Sequence, residues 1–158
     1  MRTKIISAFP GTGKSVYHSK HKDTTLDSDS SMFSWVVGSD GIKKRNPDFP
    51  ANYINHIKEN IGKYEYILVS SHKEVRDALL DACLFFYLVY PDSDRKEEFI
   101  ERYKNRGDDE NFIQLVNSKW NDWMYEISLL RGGVKKINMV LPNLEDEIRH
   151  LNSSECIG

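Results

Sequence analysis

The chain has 158 residues, enough for one domain with a substantial core, and its 39% hydrophobic and 29% charged residues are ordinary for a globular protein. The formal net charge of -2 excludes a global attraction to nucleic acids or anionic membranes, although a local basic groove could still bind a polynucleotide. The first apolar run is too short for a signal peptide and none is long enough to span a bilayer, so we predict a cytoplasmic protein with no membrane partner.

Strand-like and helix-like patterns alternate along the chain. In chain order we predict a strand at 3–8, a helix at 14–21, a strand at 24–27, a helix at 30–37, a loop at 38–50, a helix at 51–61, a strand at 64–69, a helix at 72–82, a strand at 84–90, helices at 95–105 and 110–130, a strand at 136–141 and a helix at 144–151. This alternation predicts an α/β fold of about five parallel strands with helices on both faces. Residues 1–158 are predicted to form a single domain.

The most specific local signal is the octet Ala-Phe-Pro-Gly-Thr-Gly-Lys-Ser at residues 8–15, which follows the first predicted strand. It is typical of a phosphate-binding loop, in which backbone amides surround phosphate oxygens and a lysine contacts the outer phosphates. The usual pattern begins with Gly, whereas this chain has Ala8, a residue still small enough for the end of the strand. The residues predicted to bind a nucleotide are Pro10, Gly11, Thr12, Gly13, Lys14, Ser15 and Val16.

On this motif and on the order of its elements, the chain resembles the P-loop kinase family, which includes nucleoside monophosphate kinases and polynucleotide kinases. It looks most like small bacteriophage-encoded nucleotide kinase-like proteins. The resemblance implies a three-layer α/β/α sandwich with the strand order 2-3-1-4-5, and ATP and Mg²⁺ as cofactors. The third predicted strand ends in Ser70-Ser71-His72, without the acid of motor ATPases and GTPases, which favours a kinase.

The resemblance gives roles to two acids that follow the second predicted strand. Asp29 matches the base that accepts a proton from the attacking hydroxyl in polynucleotide kinases. Asp27 would orient the acceptor or hold Mg²⁺ together with Ser15. The arginine that often follows this base in polynucleotide kinases falls at or near Met32 here, so the match to those enzymes is incomplete. The alternative is that both acids only cap the next predicted helix.

The resemblance also implies a lid-like segment at 92–112, whose arginines would contact the transferring phosphoryl group alongside Lys14. Arg102 and Arg106 lie four residues apart and share one face of the predicted helix. Arg106 is the stronger candidate because it precedes Gly107, a possible hinge. The alternative is a solvated helix whose glutamates pair with these arginines at little energetic gain.

The family places its acceptor between the second and third strands, which corresponds to residues 38–62. Arg45 lies in this segment near aromatic residues, so it could hold a phosphate while a ring stacks on a base. Arg76, one turn after His72, could reach the acceptor phosphate, and Asp27 and Asp29 would also contact the acceptor. The alternatives are a surface loop for residues 38–62 and an ordinary helix-surface position for Arg76.

These expectations combine into an ATP-dependent phosphotransferase that acts on a nucleotide, with a (deoxy)nucleoside monophosphate as the favoured acceptor. One alternative is a kinase of a hydroxyl group, on a polynucleotide 5′ end, a modified base in DNA or a small molecule. Another is a nucleotide-binding regulatory protein without phosphotransfer. ATP rather than GTP is the family default, and we expect a monomer or a homodimer.

Overall fold

A computed structural model describes residues 2–157, with side chains up to residue 155. The elements in chain order are β1 (Lys4–Ala8), α1 (Lys14–Lys20), β2 (Thr25–Asp27), α2 (Ser31–Ser34), β3 (Trp35–Val37), β4 (Lys43–Arg45), α3 (Ala51–Asn60), β5 (Tyr66–Ser70), α4 (Lys73–Asp81), β6 (Phe86–Pro91), a 3₁₀ turn (Ser93–Arg95), α5 (Lys96–Asn105), α6 (Glu110–Ser128), β7 (Val134–Met139) and α7 (Leu144–Ile157). The predicted α/β class is confirmed. Among the described residues, none of the helices combines the length and the apolar composition needed to cross a membrane.

The main sheet contains five strands, all paired in parallel, in the order β2-β5-β1-β6-β7. β1 is central and has hydrogen-bonded neighbours on both sides. Because the strands are parallel, the loops that follow β1, β2 and β5 all emerge at one edge of the sheet. The octet at 8–15, the two predicted acids and the segment Ser70-Ser71-His72 are therefore brought to the same edge.

Two hydrophobic cores lie on opposite faces of the sheet, as period-two alternation along buried strands requires. Ile5 belongs to one core and the next residue, Ile6, to the other; the same alternation is seen between Ile67 and Leu68. The first core is completed by α3, α4 and the end of α6, and the second by α1, α5, α6 and α7. The protein is thus built as three layers, with a sheet between two sets of helices.

The region between β2 and α3 differs from the prediction. The helix predicted at 30–37 ends at Ser34, and the predicted loop at 38–50 contains a strand, because Trp35–Val37 pairs antiparallel with Lys43–Arg45. Aromatic and β-branched residues favour extended backbone, and Gly41, with φ 76°, lies in the turn of this hairpin. Cys83, which lies in an apolar stretch, is exposed rather than in the core, at a turn where its φ is 57°.

Candidate functional site

The loop between β1 and α1 has the backbone that the octet predicts. Gly11 has φ 85° and Gly13 has φ 101°, values that L-residues with a Cβ rarely adopt. Thr12 is fully buried, and its hydroxyl donates to the Phe9 carbonyl at 2.9 Å, which closes the turn. Within the described part of the chain, the amides of Gly11, Gly13 and Lys14 have no hydrogen-bond acceptor in the protein. They form a concave set of donors suited to an anion.

Three consecutive carbonyl groups of this loop are held by distant parts of the chain. The Tyr103 hydroxyl donates to the Pro10 oxygen at 2.7 Å and Arg102 Nη1 to the Gly11 oxygen at 2.8 Å. The Leu144 amide donates to the Thr12 oxygen at 2.7 Å. In a trans peptide the N–H points away from the C=O of the same unit. Fixing the Pro10 and Thr12 carbonyls therefore directs the amides of Gly11 and Gly13 to the opposite side, toward the cavity that both residues line. The Thr12 amide instead donates to the Phe9 oxygen at 3.3 Å.

That cavity has a volume of about 620 Å³ and opens against the loop. Its walls include Lys14, Ser15 and Val16 from the loop and α1, Asp29 from the segment after β2, and Arg106 from the end of α5. The remaining predicted loop residues in the wall are Pro10, Gly11 and Gly13; Ala8, Phe9, Ser70, Ser71, His72 and Phe112 complete it. Eight of the residues with a sequence-predicted role thus line one space, although they lie up to 96 positions apart in the chain.

Lys14 and Asp27 form an ion pair within this site, with Nζ and Oδ1 3.3 Å apart. Both side chains are about three-quarters buried. Asp27 Oδ1 is itself inaccessible to solvent and accepts no hydrogen bond from the protein. A buried carboxylate oxygen without a donor is a position where a hard cation or a bound water would satisfy the charge.

Among the side chains that the structure describes, no group of three or more His, Cys, Asp or Glu residues comes together as a metal site. Magnesium at a nucleotide usually takes only one or two protein oxygens, the rest coming from phosphates and water. The carboxylate of Asp27 and the hydroxyl of Ser15, both predicted metal ligands, are chemically suited to that lesser demand. Ser15 lines the cavity, next to Lys14 in the sequence.

Asp29 is held in place by the strand beside it. The Ser28 amide donates to the Leu68 oxygen at 2.9 Å, and the hydroxyls of Ser30 and Ser70 lie 2.8 Å apart. The Asp29 carboxylate itself accepts a hydrogen bond from the Ser31 amide at 2.9 Å. The capping alternative is therefore realised for one oxygen of Asp29, while the side chain still faces the cavity.

A second cavity, of about 390 Å³, adjoins the first and shares Asp29 and His72 with it. Trp35, Arg45 and Phe49 from the hairpin and the loop after it line its far side. The guanidinium carbon of Arg45 lies 5.3 Å from the ring centre of Trp35, and Arg45 also pairs with the exposed Glu74 at 2.8 Å. Arg45 and Phe49, from the predicted acceptor segment, thus line the same cavity as Asp29, the predicted catalytic base.

The two predicted lid arginines have different surroundings. Arg102 uses its donors on the Gly11 oxygen, on the Pro142 oxygen at 2.6 Å and on Glu98 at 3.0 Å, and it lies over the ring of Phe99. Arg106 instead lines the 620 Å³ cavity, and its Nε donates to Asp108 at 2.6 Å. Of the two, only Arg106 lines this cavity.

Arg76 is not on the helix surface. It is buried, with 4% of its surface exposed; its Nε donates to the Ser71 oxygen at 2.9 Å and its Nη2 lies 3.4 Å from Glu126 Oε1. The surface alternative is therefore wrong for this residue. Arg76 lies outside the walls of both cavities described above.

His72 lies where these cavities meet and is the residue before α4. Burial lowers the pKa of its imidazole below the usual value, and the positive charge of Lys14 lowers it further. The ring is therefore neutral at pH 7 and can donate or accept a hydrogen bond without adding charge to the site.

Sequence reasoning missed Tyr103, Phe112 and Leu144 as parts of this site. Burial raises the pKa of the Tyr103 hydroxyl well above its usual value, so it acts as a neutral donor to the loop. Nothing local in the sequence marks these residues, because each reaches the loop from an element far along the chain. The comparisons with known proteins add no further assignment: no protein-family model matches the chain, and no curated protein sequence is significantly similar to it.

Proposed function

We propose that the protein is an ATP-dependent phosphotransferase of the P-loop kinase type, with a (deoxy)nucleoside monophosphate as the favoured acceptor. The observation that supports this most is the 620 Å³ cavity, in which amides without acceptors, Lys14, Asp29 and Arg106 face one another. Phosphoryl transfer needs mainly positioning and stabilisation of negative charge on the transferred group. Those are the properties that these groups supply.

The donor binds along the loop in this proposal. The amides of Gly11, Gly13 and Lys14 donate to phosphate oxygens, and the Lys14 ammonium neutralises the outer phosphates. Ser15 and Asp27 would hold Mg²⁺, which would screen charge on the phosphates. Lys14, whose Nζ lies 3.3 Å from Asp27 Oδ1, would contact the outer phosphates.

The acceptor enters beside Asp29, where the two cavities meet. For a monophosphate acceptor, Asp29 orients the attacking group and no strong base is needed, because the phosphate is already an anion. Arg106 lies over the transferred group and stabilises the charge that spreads over its oxygens. Arg102 holds the Gly11 carbonyl and so acts on the donor through the loop rather than on the phosphoryl group.

A hydroxyl acceptor is the second candidate, and the placement of Asp29 favours it. A carboxylate that faces both cavities can accept a proton from a hydroxyl in one while the donor lies in the other. Arg45 and Trp35 would then contact a nucleic-acid acceptor through its phosphate and a stacked base. The third candidate, a nucleotide-binding protein without phosphotransfer, shares the loop but not the need for Asp29 and Arg106.

The test is transfer of label from γ-labelled ATP with Mg²⁺ to a panel of acceptors. The panel contains nucleoside and deoxynucleoside monophosphates, free nucleosides, and DNA and RNA with 5′-hydroxyl ends. Lys14→Ala should abolish transfer, and Lys20→Ala, on an exposed position of the same helix, is the matched control. Label on a monophosphate supports the first candidate and label on a hydroxyl the second. Intact ATP binding with no labelled product refutes both and leaves the third.

A further inference from the structure

A third cavity lies between α4 and α6, and its volume is about 220 Å³. Its walls are largely aromatic and aliphatic, from Phe9, Phe112, Leu115 and Trp123. The volume is below the roughly 300–1,000 Å³ of pockets that enclose drug-sized ligands, so it suits one ring system rather than a whole nucleotide. Neither the loop chemistry nor the proposed acceptor entry uses this space.

Arg76 lines this cavity and has an unused donor. Its Nη1 is inaccessible to solvent and has no hydrogen-bond partner, although Nε and Nη2 are both engaged. A buried guanidinium N–H without an acceptor is costly, typically more than a neutral donor would be. The cost is removed when a ligand places an acceptor atom against Nη1, and because Nη1 has no accessible surface in the unliganded protein, this requires a shift of the cavity wall.

The charge of Arg76 is already balanced by Glu126, 3.4 Å away at the same cavity. A second anion here would meet the carboxylate of Glu126 as well as the guanidinium. A neutral acceptor, such as a ring nitrogen or an exocyclic carbonyl oxygen, avoids that repulsion. A cavity with apolar walls and a single hydrogen-bond donor suits a planar heterocycle. Such a ring stacks on aromatic side chains and accepts hydrogen bonds at its polar edge.

The 220 Å³ cavity adjoins the large one. The two share Phe9, Pro10, Ser71, His72 and Phe112 as walls. A molecule whose ring lies beside Arg76 therefore extends toward Lys14 and Asp29 with its other end. This route starts on the α4 side of the loop, at the strand next to β2, which is the side from which Asp29 comes.

We infer that the 220 Å³ cavity binds the nucleobase of the acceptor, with Arg76 Nη1 donating to an exocyclic carbonyl of the base. This inference rests on the proposed function, because only a phosphotransferase has an acceptor. It places the site that binds the acceptor's nucleobase between α4 and α6 rather than in residues 38–62. Bases that carry a carbonyl (guanine, thymine, uracil and cytosine) are favoured over adenine, which has none. Arg45 and the hairpin then lie near the sugar-phosphate end rather than the base.

The test measures binding of nucleoside monophosphates, without ATP, by titration calorimetry. Leu115, which is half-exposed in the cavity wall, is changed to Trp to fill the space without disturbing the buried core. Leu129→Trp, at an exposed leucine beyond the end of the same helix and outside the cavity, is the matched control. Arg76→Met removes the hydrogen-bond donor and keeps an unbranched side chain. If Arg76→Met fails to fold, Leu115→Trp still tests the inference.

We expect wild type to bind guanosine or thymidine monophosphate at least tenfold more tightly than adenosine monophosphate. Leu115→Trp should weaken the preferred monophosphate at least tenfold and change ATP affinity less than twofold, while Leu129→Trp changes neither. Arg76→Met should remove the preference over adenine. The inference is overturned if wild type binds no monophosphate, if Leu115→Trp leaves that affinity within twofold, or if it weakens ATP instead, which would make the cavity the donor's base site.

A transfer assay on the same variants separates this inference from the proposed function. If wild type transfers phosphate and Leu115→Trp leaves the KM for the monophosphate unchanged, the proposed phosphotransferase activity stands and the proposed nucleobase site is rejected. Binding of a monophosphate that depends on Leu115 and Arg76, without any transfer, retains the base site and rejects the phosphotransferase.

Discussion

The Nζ of Lys14 lies 3.3 Å from Oδ1 of Asp27, and this oxygen accepts no hydrogen bond from the protein. The pair keeps the lysine of the loop next to the carboxylate proposed to hold Mg²⁺. In the proposed complex with nucleotide and Mg²⁺, each partner of the ion pair would gain a new partner of opposite charge. The proposed metal requirement can therefore be tested at Asp27.

Asp27→Asn should raise the Mg²⁺ concentration needed for half-maximal ATP binding by about tenfold or more, because the amide is a weaker ligand for a hard cation. ATP affinity in the presence of a chelator should stay the same or improve, since Lys14 loses its competing carboxylate. Calorimetric titrations with ATP at several Mg²⁺ concentrations measure both effects. Asp23→Asn, at an exposed position before β2, is the control. Equal loss of affinity with and without Mg²⁺ would contradict the metal role.

Gly11→Ala should weaken ATP binding and lower the free energy of unfolding. A Cβ on Gly11 would lie 2.8 Å from Cε1 of Tyr103, and Tyr103 is fixed by its bond to the Pro10 oxygen. Gly62→Ala is a matched control, because Gly62 has φ 92° but a Cβ added there would meet no atom within 4 Å. Both variants carry the cost of positive φ, about 1 kcal/mol or more. The free energies of unfolding of the two variants should therefore differ by the contacts with Tyr103 and with Phe99, whose Cδ2 would lie 3.3 Å from the added Cβ. Equal losses would show that these contacts are unimportant.

Arg102→Ala and Arg106→Ala should affect different steps. Loss of Arg102 frees the Gly11 and Pro142 carbonyls, so we expect weaker ATP binding with a smaller effect on turnover. Loss of Arg106 removes a charge beside the transferred group, and removal of one such donor typically lowers kcat about 10²–10³-fold. Steady-state kinetics with ATP as the varied substrate separate KM from kcat. The reverse pattern would exchange the two roles.

Asp29→Asn distinguishes the acceptor classes. The amide oxygen can still accept from the Ser31 amide, so the local fold should persist. A hydroxyl kinase should lose activity by about 10²–10⁴-fold, the usual contribution of a general base. A monophosphate kinase should lose much less, because its acceptor needs no deprotonation. Transfer rates with the acceptor found in the panel, alongside circular dichroism to verify folding, give the comparison.

His72 should make the protein less stable in mild acid. Its pKa is lowered in the folded protein, mainly by burial and then by Lys14, so below the unfolded value of about 6.5 the unfolded chain binds more protons. The free energy of unfolding therefore falls as pH drops below about 6.5, and the change is modest because His72 is partly open to solvent. Above that pH the contribution is constant. His72→Gln should remove this part of the pH dependence between about pH 5 and 7, measured by denaturation; an unchanged slope would contradict it.

The glycines and the lysine of the octet can be predicted from sequence because their roles are local. A positive φ at Gly11 and Gly13 follows from the turn between strand and helix, and the run of apolar residues identifies β1. The approach of Asp29 to that loop follows from the order of the strands, because Asp29 comes after β2 and parallel strands end at one edge of the sheet. The prediction for Arg106, which follows a helix, rests instead on the resemblance to P-loop kinases.

The supports of the site cannot be predicted in this way, because they are long-range contacts. Arg102 and Tyr103 reach the loop across 91 and 93 positions of sequence, and the same helical spacing would suit a solvated helix. Sequence alone favours an exposed Arg76 because most arginines on helices are exposed; its burial depends on the packing of α6 over α4. The β3–β4 hairpin could not be predicted because each strand has only three residues, too few to show an alternation of polar and apolar side chains.

The position of β1 between β5 and β6 has a consequence for the dynamics of the loop. Ile6, Ser7 and Ala8 are paired with both β5 and β6, so the amide hydrogens of this part of β1 should exchange with solvent only through near-global opening, later than those of the edge strand β2. The first half of the loop is thus anchored to the most persistent part of the sheet. A nucleotide that binds there spends little of its binding energy on ordering the backbone, which leaves that energy for affinity.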